Sequence, residues 1–247
     1  MRSTLTIAKR EFRSYFDAPL AYIVICLSLV MLGFAVFLVG DLTFFKVNRA
    51  DLTNMFKWTA RGLAWLIVPV ITMRLVAEEK RSGTLEMLIT LPVRDREVIL
   101  GKFLGAWSLV LALIAASALY PIMMFVFPWK LGALDWRPVL SGYLGLVVHS
   151  TAAVALGLLI SSITESQMIA LLVTVSLLFL LHLFGGDLSV DWLPEGAQRA
   201  ASLISFDGRL ESFRKGMINT HDVVYFLSIG GGCLIGAFFA LERRKWA

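Results

Sequence analysis

Residues 138–164 read PVLSGYLGLVVHSTAAVALGLLISSIT, with no Asp, Glu, Lys or Arg between Arg137 and Glu165. A bilayer core of about 30 Å is crossed by roughly 20 apolar residues in a helix, and this run exceeds that length. Working outward, residues 18–40, 103–129, 166–186 and 223–241 are also free of these charges. They give membrane spans over 20–40, 103–127, 139–161, 167–185 and 223–241. The fold class is therefore all-α and polytopic.

Composition agrees with that reading. The 247 residues are 58% hydrophobic and 17% charged, and the mean hydropathy is +0.77. Soluble domains run at about 45–50% apolar and about 25% charged, so an ordinary soluble fold is excluded. A sixth span is broken by charges. Gly62 to Met73 is apolar and contains Pro69, but it is too short to cross alone. If the helix starts near Met55 and spans 57–77, Arg61 snorkels outward and Arg74 inward, with Trp58 and Trp65 at the outer interface. An even number of spans then leaves both termini on one side. The N-terminus does not read as a cleavable signal peptide, because no small-residue cleavage site follows its long apolar run. Cys26 and Cys233 fall inside apolar runs and read as buried small hydrophobes.

Lys and Arg set the orientation. Arg2, Lys9, Arg10 and Arg13, the loop cluster from Arg74 to Lys102, and Arg243, Arg244 and Lys245 put thirteen of the twenty-three basic residues on the side of the termini. By the positive-inside rule both termini are cytoplasmic, in the cell (cytoplasmic or inner) membrane. The net charge of +5 then reflects topology. No basic stripe with interleaved aromatics marks a nucleic-acid surface, so no nucleic-acid partner is expected.

Three segments lie outside the spans. Residues 4–16 read as an amphipathic interfacial helix, with Leu5, Ala8, Phe12, Tyr15 and Phe16 on one face and Arg2, Lys9 and Arg13 flanking them toward lipid phosphates. Phe12, Arg13, Tyr15 and Phe16 are its membrane-contact residues, and Asp17-Ala18-Pro19 breaks it. The loop from Glu78 to Gly101 holds a short helix over 83–90, with Leu85, Leu88 and Ile89 on one side. Thr84 and Glu86 in its first turn complement the helix dipole, and Pro92 stops it. A loop that had only to be soluble would need no such apolar face, so this one has a docking partner. Residues 186–222 form an outer-face segment whose second helix, from about Asp207 to Lys215, carries Phe206, Leu210, Phe213 and Met217 on one side and ends at Gly216.

The sequence holds no Walker A loop, no His-Glu-x-x-His and no Gly-x-Ser-x-Gly. No cofactor or metal is therefore expected on this chain. Arg74, His149 and His182 are the intramembrane polar residues; each His reads either as an interhelical hydrogen-bonder or as a ligand or proton relay. Glu165, in Ser161-Ser162-Ile163-Thr164-Glu165-Ser166, is expected in a hairpin exposed to water. An intramembrane enzyme built on His149, His182 and Glu165 lacks a coherent ligand or nucleophile set. The alternative of a stand-alone channel or secondary transporter predicts charged or discontinuous helices at mid-bilayer and an inverted repeat. The pairs Gly101 with Gly105, Gly142 with Gly145, and Gly232 with Gly236 suit helix packing within or between protomers.

Met73-Arg74-Leu75-Val76-Ala77-Glu78-Glu79-Lys80-Arg81-Ser82-Gly83-Thr84-Leu85-Glu86, followed by Leu91-Pro92-Val93 and Gly101-Lys102, resembles the permease subunits of ABC-2 type ATP-binding-cassette transporters. The distal Ser205-Phe206, Phe213-Arg214-Lys215-Gly216 and Asp222-Val223-Val224-Tyr225 extend the resemblance along the chain. It is closest to the gliding-motility-type export permeases. The resemblance implies a six-span half-transporter whose 83–90 helix is a coupling helix seated on a separate cytoplasmic ABC ATPase. Glu78, Glu79, Arg81, Gly83, Thr84, Leu85, Glu86, Leu88 and Pro92 would be its ATPase-coupling residues. It implies a second permease, a copy or a relative, and an ATPase that binds ATP and Mg. The chain itself would be a non-catalytic transporter subunit, an ATP-driven exporter's transmembrane half.

Overall fold

The computed structural model describes residues 2–17, 20–38, 52–83, 95–126, 135–183 and 203–243, and every regular element among them is a helix. In chain order these are α1 (Arg2–Asp17), α2 (Leu20–Leu38), α3 (Thr53–Ser82), α4 (Asp95–Val126), α5 (Trp136–Ile163), α6 (Gln167–Leu183), α7 (Phe206–Arg214) and α8 (Thr220–Glu242). By length and composition α3, α4, α5 and α8 are each able to cross a membrane. A fifth span results if α1 and α2, which meet at a 74° bend, count as one. The apolar α6 has 17 described residues, fewer than the other spans. The expected interval 83–90, apart from Gly83, and the first part of the 186–222 segment lie outside the described residues.

The centre of the bundle is α5, which packs on α3, α4, α6, α7 and α8. Its sequence explains this: Gly142, Gly145 and Gly157 line up with large neighbours. A Cβ at Gly142 would lie 2.6 Å from the Phe56 ring, and one at Gly145 would lie 2.8 Å from Phe213 Cβ. At Gly157 it would meet Thr72 Oγ1 at 2.2 Å. Small residues let helix backbones approach closely in the absence of a hydrophobic drive between spans. Gly101 and Gly105 serve a different neighbour, since they receive Ile7 and Glu11 of α1. That helix lies along α4, so those two glycines seat a terminal helix within one chain.

The segment α3 is not a uniform helix. Thr53–Gly62 is α-helical, Leu63–Ile67 is a π-helix, and Val68–Thr72 is again α-helical, before a break at 73–76 and a last segment Ala77–Ser82. The π turn immediately precedes Pro69, whose ring would otherwise strike the Trp65 carbonyl one turn earlier. Beyond the break, Ser161 Oγ accepts from Val76 N at 3.1 Å and Ala77 N at 3.2 Å, and it donates to Met73 O at 3.3 Å. The backbone groups freed by the break are thus satisfied from α5. Ser161 and Ser162 are fully buried, contrary to the water-exposed hairpin expected of them; Ile163 and Glu165, which follow, are exposed.

Candidate functional site

The site is built where α1, α3, α4 and α5 converge, beside the connection that links α3 to α4. The final turn of α3 divides its side chains by helical phase. Glu78, Arg81 and Ser82 point outward, and Gly83 closes the turn with a φ of 72° in the left-handed region. Glu79 and Lys80 point inward. Lys80 Nζ donates to the Ser162 carbonyl of α5. Glu79 Oε1 accepts from Lys102 Nζ of α4 at 2.7 Å, and the same ammonium reaches Glu11 Oε1 of α1 at 3.4 Å. The Lys102 side chain is 3% exposed, so one buried cation ties together three helices.

The cluster continues through Arg74, whose guanidinium sits 4.6 Å from the centre of the Tyr15 ring. Tyr15 is buried and its hydroxyl points at the Ile71 carbonyl, 3.5 Å away. Burial pushes the Tyr15 phenol well above its ordinary value, while the neighbouring Arg74 pulls it partly back. Between these groups lies a polar cleft of about 330 Å³, lined by Glu11, Tyr15, Arg74, Glu78, Glu79 and Lys102. On the far side of the same end, Arg96 of α4 stacks 5.0 Å from the ring of Phe238 in α8.

The residues expected from sequence are therefore sorted into distinct roles. Glu78 and Arg81 face outward beside the connection, where a partner can reach them. Glu79 is committed to Lys102 instead of to an external partner. Gly83, expected to open the 83–90 helix, is the stop of the preceding one. Thr84, Leu85, Glu86, Leu88 and Pro92 lie outside the described residues. In α1, Arg13 is exposed and Phe12 and Phe16 are half-buried, but Tyr15, expected to contact the membrane, is buried under Arg74. Leu5, placed on the same apolar stripe, is 65% exposed, because α1 rotates Ile7 and Glu11 toward α4.

The opposite end of the bundle carries a second polar cluster beneath α7. Ser205 caps that helix by accepting from Gly208 N at 3.1 Å, and Gly216 follows its end with a φ of 84°. Phe206, Leu210 and Phe213 pack inward, while Met217, expected with them, is exposed. Asp207 Oδ2 accepts from Arg61 at 2.7 Å and Oδ1 lies 3.4 Å from Arg214. Arg61, expected to snorkel into the interface, is instead buried between Trp58 and Trp65, each ring 5.8 Å away. Asp222 joins α7 to α8 by accepting from Ser212 at 2.7 Å and Arg209 at 3.2 Å.

His149 and His182 meet below this cluster, ring centroids 5.2 Å apart, with Phe206 against both. His182 donates Nδ1–H to the Leu178 carbonyl of its own helix at 2.9 Å. His149 is fully buried and neither ring nitrogen has a hydrogen-bond partner among the described residues. It therefore makes ring contacts where an interhelical hydrogen bond was one expectation. Among the described residues no group of three or more His, Cys, Asp or Glu could hold a metal ion.

Sequence reading missed Glu11, Lys102, Ser161 and Asp207 as site residues. The signal available was their setting. Lys102 is a lone cation at the head of a long apolar run, followed at one helical turn by Gly105, which admits α1.

Two comparisons bear on this arrangement. No curated protein matches the chain. A family model described as ABC-2 family transporter protein matches residues 5–202, most of the chain, including all of α3, α4 and α5 and all but the first three residues of α1. The chain belongs to that family.

Proposed function

We propose, with that membership as premise, that this chain is the transmembrane half of an ATP-driven exporter, powered by a separate cytoplasmic ABC ATPase that binds ATP and Mg. The reading takes α2, α3, α4, α5, α6 and α8 as six spans of the cytoplasmic membrane with both termini cytoplasmic. The stretch that follows Gly83, up to residue 90, acts as the coupling helix, and Leu85 and Leu88 form its docking face. Glu78, Arg81, Gly83, Thr84, Glu86 and Pro92 shape the approach, and a second permease, identical or related, completes the working unit. Among export permeases the expected subfamily is the gliding-motility type, on the strength of residues 73–86.

The observation that carries this reading is the Glu79–Lys102–Glu11 cluster. It joins the two helices that flank the 84–94 connection to each other and to α1, at 2.7 Å and 3.4 Å. A push on that connection from below is then delivered to α3 and α4 together, not dissipated in one flexible arm. Energy must arrive from a partner because the chain has no phosphate-binding loop, and nucleotide-driven closure of that partner can shift packed helices between two arrangements.

The test is reconstitution of the full chain with a co-purified ATPase in proteoliposomes. The expected outcome is vanadate-sensitive hydrolysis stimulated by the wild-type chain, lost with Leu88→Glu and kept with Leu88→Ile. Robust transport by the chain alone, without nucleotide, would overturn the proposal and favour a channel or secondary transporter.

A further inference from the structure

The backbone groups freed by the break in α3 have substitute partners, and most of these come from two other helices. In α-helical register Leu75 N–H donates to Ile71 O, Val76 N–H to Thr72 O and Ala77 N–H to Met73 O. Here Leu75 N donates to Thr72 O at 3.1 Å, one residue short of that register. Val76 N and Ala77 N donate instead to Ser161 Oγ of α5, at 3.1 Å and 3.2 Å. The two carbonyls left over are met by hydroxyls, Met73 O by Ser161 at 3.3 Å and Ile71 O by Tyr15 of α1 at 3.5 Å. Helical register holds on both sides of the break, since Met73 N donates to Pro69 O at 2.9 Å and Lys80 N to Val76 O at 3.0 Å. Met73 has helical angles, φ −54° and ψ −32°, whereas Val76 has φ −125° and ψ −38°. A rotation of about 60° about one bond carries Val76 back to the helical φ near −63°. The three N–H groups then return to Ile71, Thr72 and Met73, and the Ser161 and Tyr15 hydroxyls are released. Hydrogen bonds are exchanged and not lost, which is the requirement for a two-state element.

The side chains that flank the break fit the same two forms. Arg74 and Glu78 stand four residues apart, so they are neighbours on one face of a continuous helix. With the turn unwound, the Arg74 guanidinium lies over the Tyr15 ring at 4.6 Å and Glu78 is exposed. The ion pairs among the described residues at this end join Lys102 to Glu79 and Glu11 and do not include Arg74 or Glu78. Both residues nevertheless line the one polar cleft of about 330 Å³, so they have room to meet without displacing another side chain.

We infer that residues 73–76 are a two-state turn, held unwound when Ser161 and Tyr15 bind its backbone and wound into continuous α-helix when Arg74 pairs with Glu78. Winding turns the Ala77–Ser82 segment about its axis and re-aims Glu78 and Arg81 beside the 84–94 connection. The two forms rest on the hydrogen bonding of α3 with its neighbours and not on any ATPase coupling. On the proposed function, this turn is the joint through which the connection moves α3.

The experiment titrates Zn²⁺ into the purified full chain in nanodiscs. Two His at i and i+4 on one helix face ligate zinc together. Arg74→His with Glu78→His forms such a pair only when the turn is wound. Glu78→His with Ser82→His lies within the Ala77–Ser82 helix and forms it in either state, so it serves as the control. The 74/78 pair should bind zinc at least about threefold tighter than either single variant, and adding Ser161→Ala should tighten it by about fivefold more by populating the wound form. Binding no tighter than the single variants in both backgrounds, while the control pair binds, would overturn the wound form. Binding as tight as the control and indifferent to Ser161→Ala would overturn the two-state turn. Because Arg74→His also removes the contact with Tyr15, amide exchange puts the same question to the native side chains. In Ser161→Ala the amides of Val76 and Ala77 should keep their protection within about threefold, because winding rebonds them, and a tenfold loss would overturn the proposal. Adding Glu78→Gln should then speed their exchange by about twofold, the worth of one i,i+4 ion pair, and no change would remove that pair from the wound form. Neither nucleotide nor ATPase is present, so these failures are distinct from failure of ATP coupling in the reconstituted complex.

Discussion

Replacing Lys102 with Met removes the cation that α1, α3 and α4 share while keeping much of the length of the side chain. At an effective dielectric of about 20, separations of 2.7 Å and 3.4 Å correspond to gross attractions of about 6 and about 5 kcal/mol. Desolvation offsets much of this, and removing one partner of a buried pair costs about 3–5 kcal/mol net. The carboxylates of Glu79 and Glu11 are 20% and 18% exposed, so water relieves them partly when they are orphaned. The lower end, about 3 kcal/mol, is the expected loss. For a chain of this size that is about 6–12 °C in melting temperature, measured on detergent-purified protein. The swap of Glu79→Lys with Lys102→Glu makes a sharper test. It restores the 79–102 pair but sets the new carboxylate at position 102 against Glu11, so recovery should be partial, and adding Glu11→Gln should improve it. Lys102→Met melting within about 2 °C of the wild type, less than about 1 kcal/mol here, would refute the shared-cation account. Full recovery by the simple swap would remove Glu11 from it.

Gly142→Ala should destabilise by about 1–3 kcal/mol through overpacking, because the added Cβ lies 2.6 Å from the Phe56 ring. Phe56→Val should relieve the clash, so in a melting experiment the double variant should be less impaired than the two single losses predict. Tyr15 gives a pH signature: burial raises its phenol above the ordinary value, so the folded chain holds the proton that the unfolded chain releases near pH 10. Its contribution is complete below about pH 10 and is lost as pH rises, by about 1.4 kcal/mol at pH 11. The wild type should therefore lose more melting temperature between about pH 9 and pH 11 than Tyr15→Phe, and parallel slopes would count against this assignment.

The spans are legible in the sequence because lipid imposes a composition. A charge-free run the length of 138–164 has few homes other than a bilayer. What such a pattern does not show is how charged residues find each other across the chain. Arg61 and Asp207 are 146 positions apart, and nothing local in either segment announces the pair. A lone cation near a span end reads by default as facing the interface, which is why the sequence alone misplaces Arg61. The same limit explains Glu79. It stands in a run of charges that reads as one solvated loop, and only the phase of the last turn of α3 separates it from Glu78 and Arg81. The π-helical stretch is equally invisible, since Pro69 announces an irregularity but not its kind. Tyr15 reads as a lipid contact because an amphipathic face looks alike whether it meets acyl chains or another helix. Gly101 and Gly105 of α4 hold the missing information, and it becomes readable only when α1 is seen to lie on them.

Two of these buried charges fix the mechanics of α3. It is anchored near one end by the Arg61–Asp207 bond at 2.7 Å and at the other by the Glu79–Lys102 bond at 2.7 Å. Between the anchors lie the π turn at 63–67, Pro69 and the break at 73–76, three places where backbone hydrogen bonding departs from the α-helical register. A helix held at both ends and irregular in the middle responds to a displacement at one end by bending at those places, since breaking a buried ion pair costs several kcal/mol and shifting a bulge costs less. On the proposed reading, movement of the 84–94 connection enters at Glu79 and Lys102 and is converted into bending between Ile67 and Val76. Ser161 marks where this happens. It supplies the hydrogen bonds that hold the break in its present form, to Val76 and Ala77, and an alternative α3 geometry must exchange them. The outer cluster under α7 then moves only if the bend exceeds what the middle of α3 can absorb.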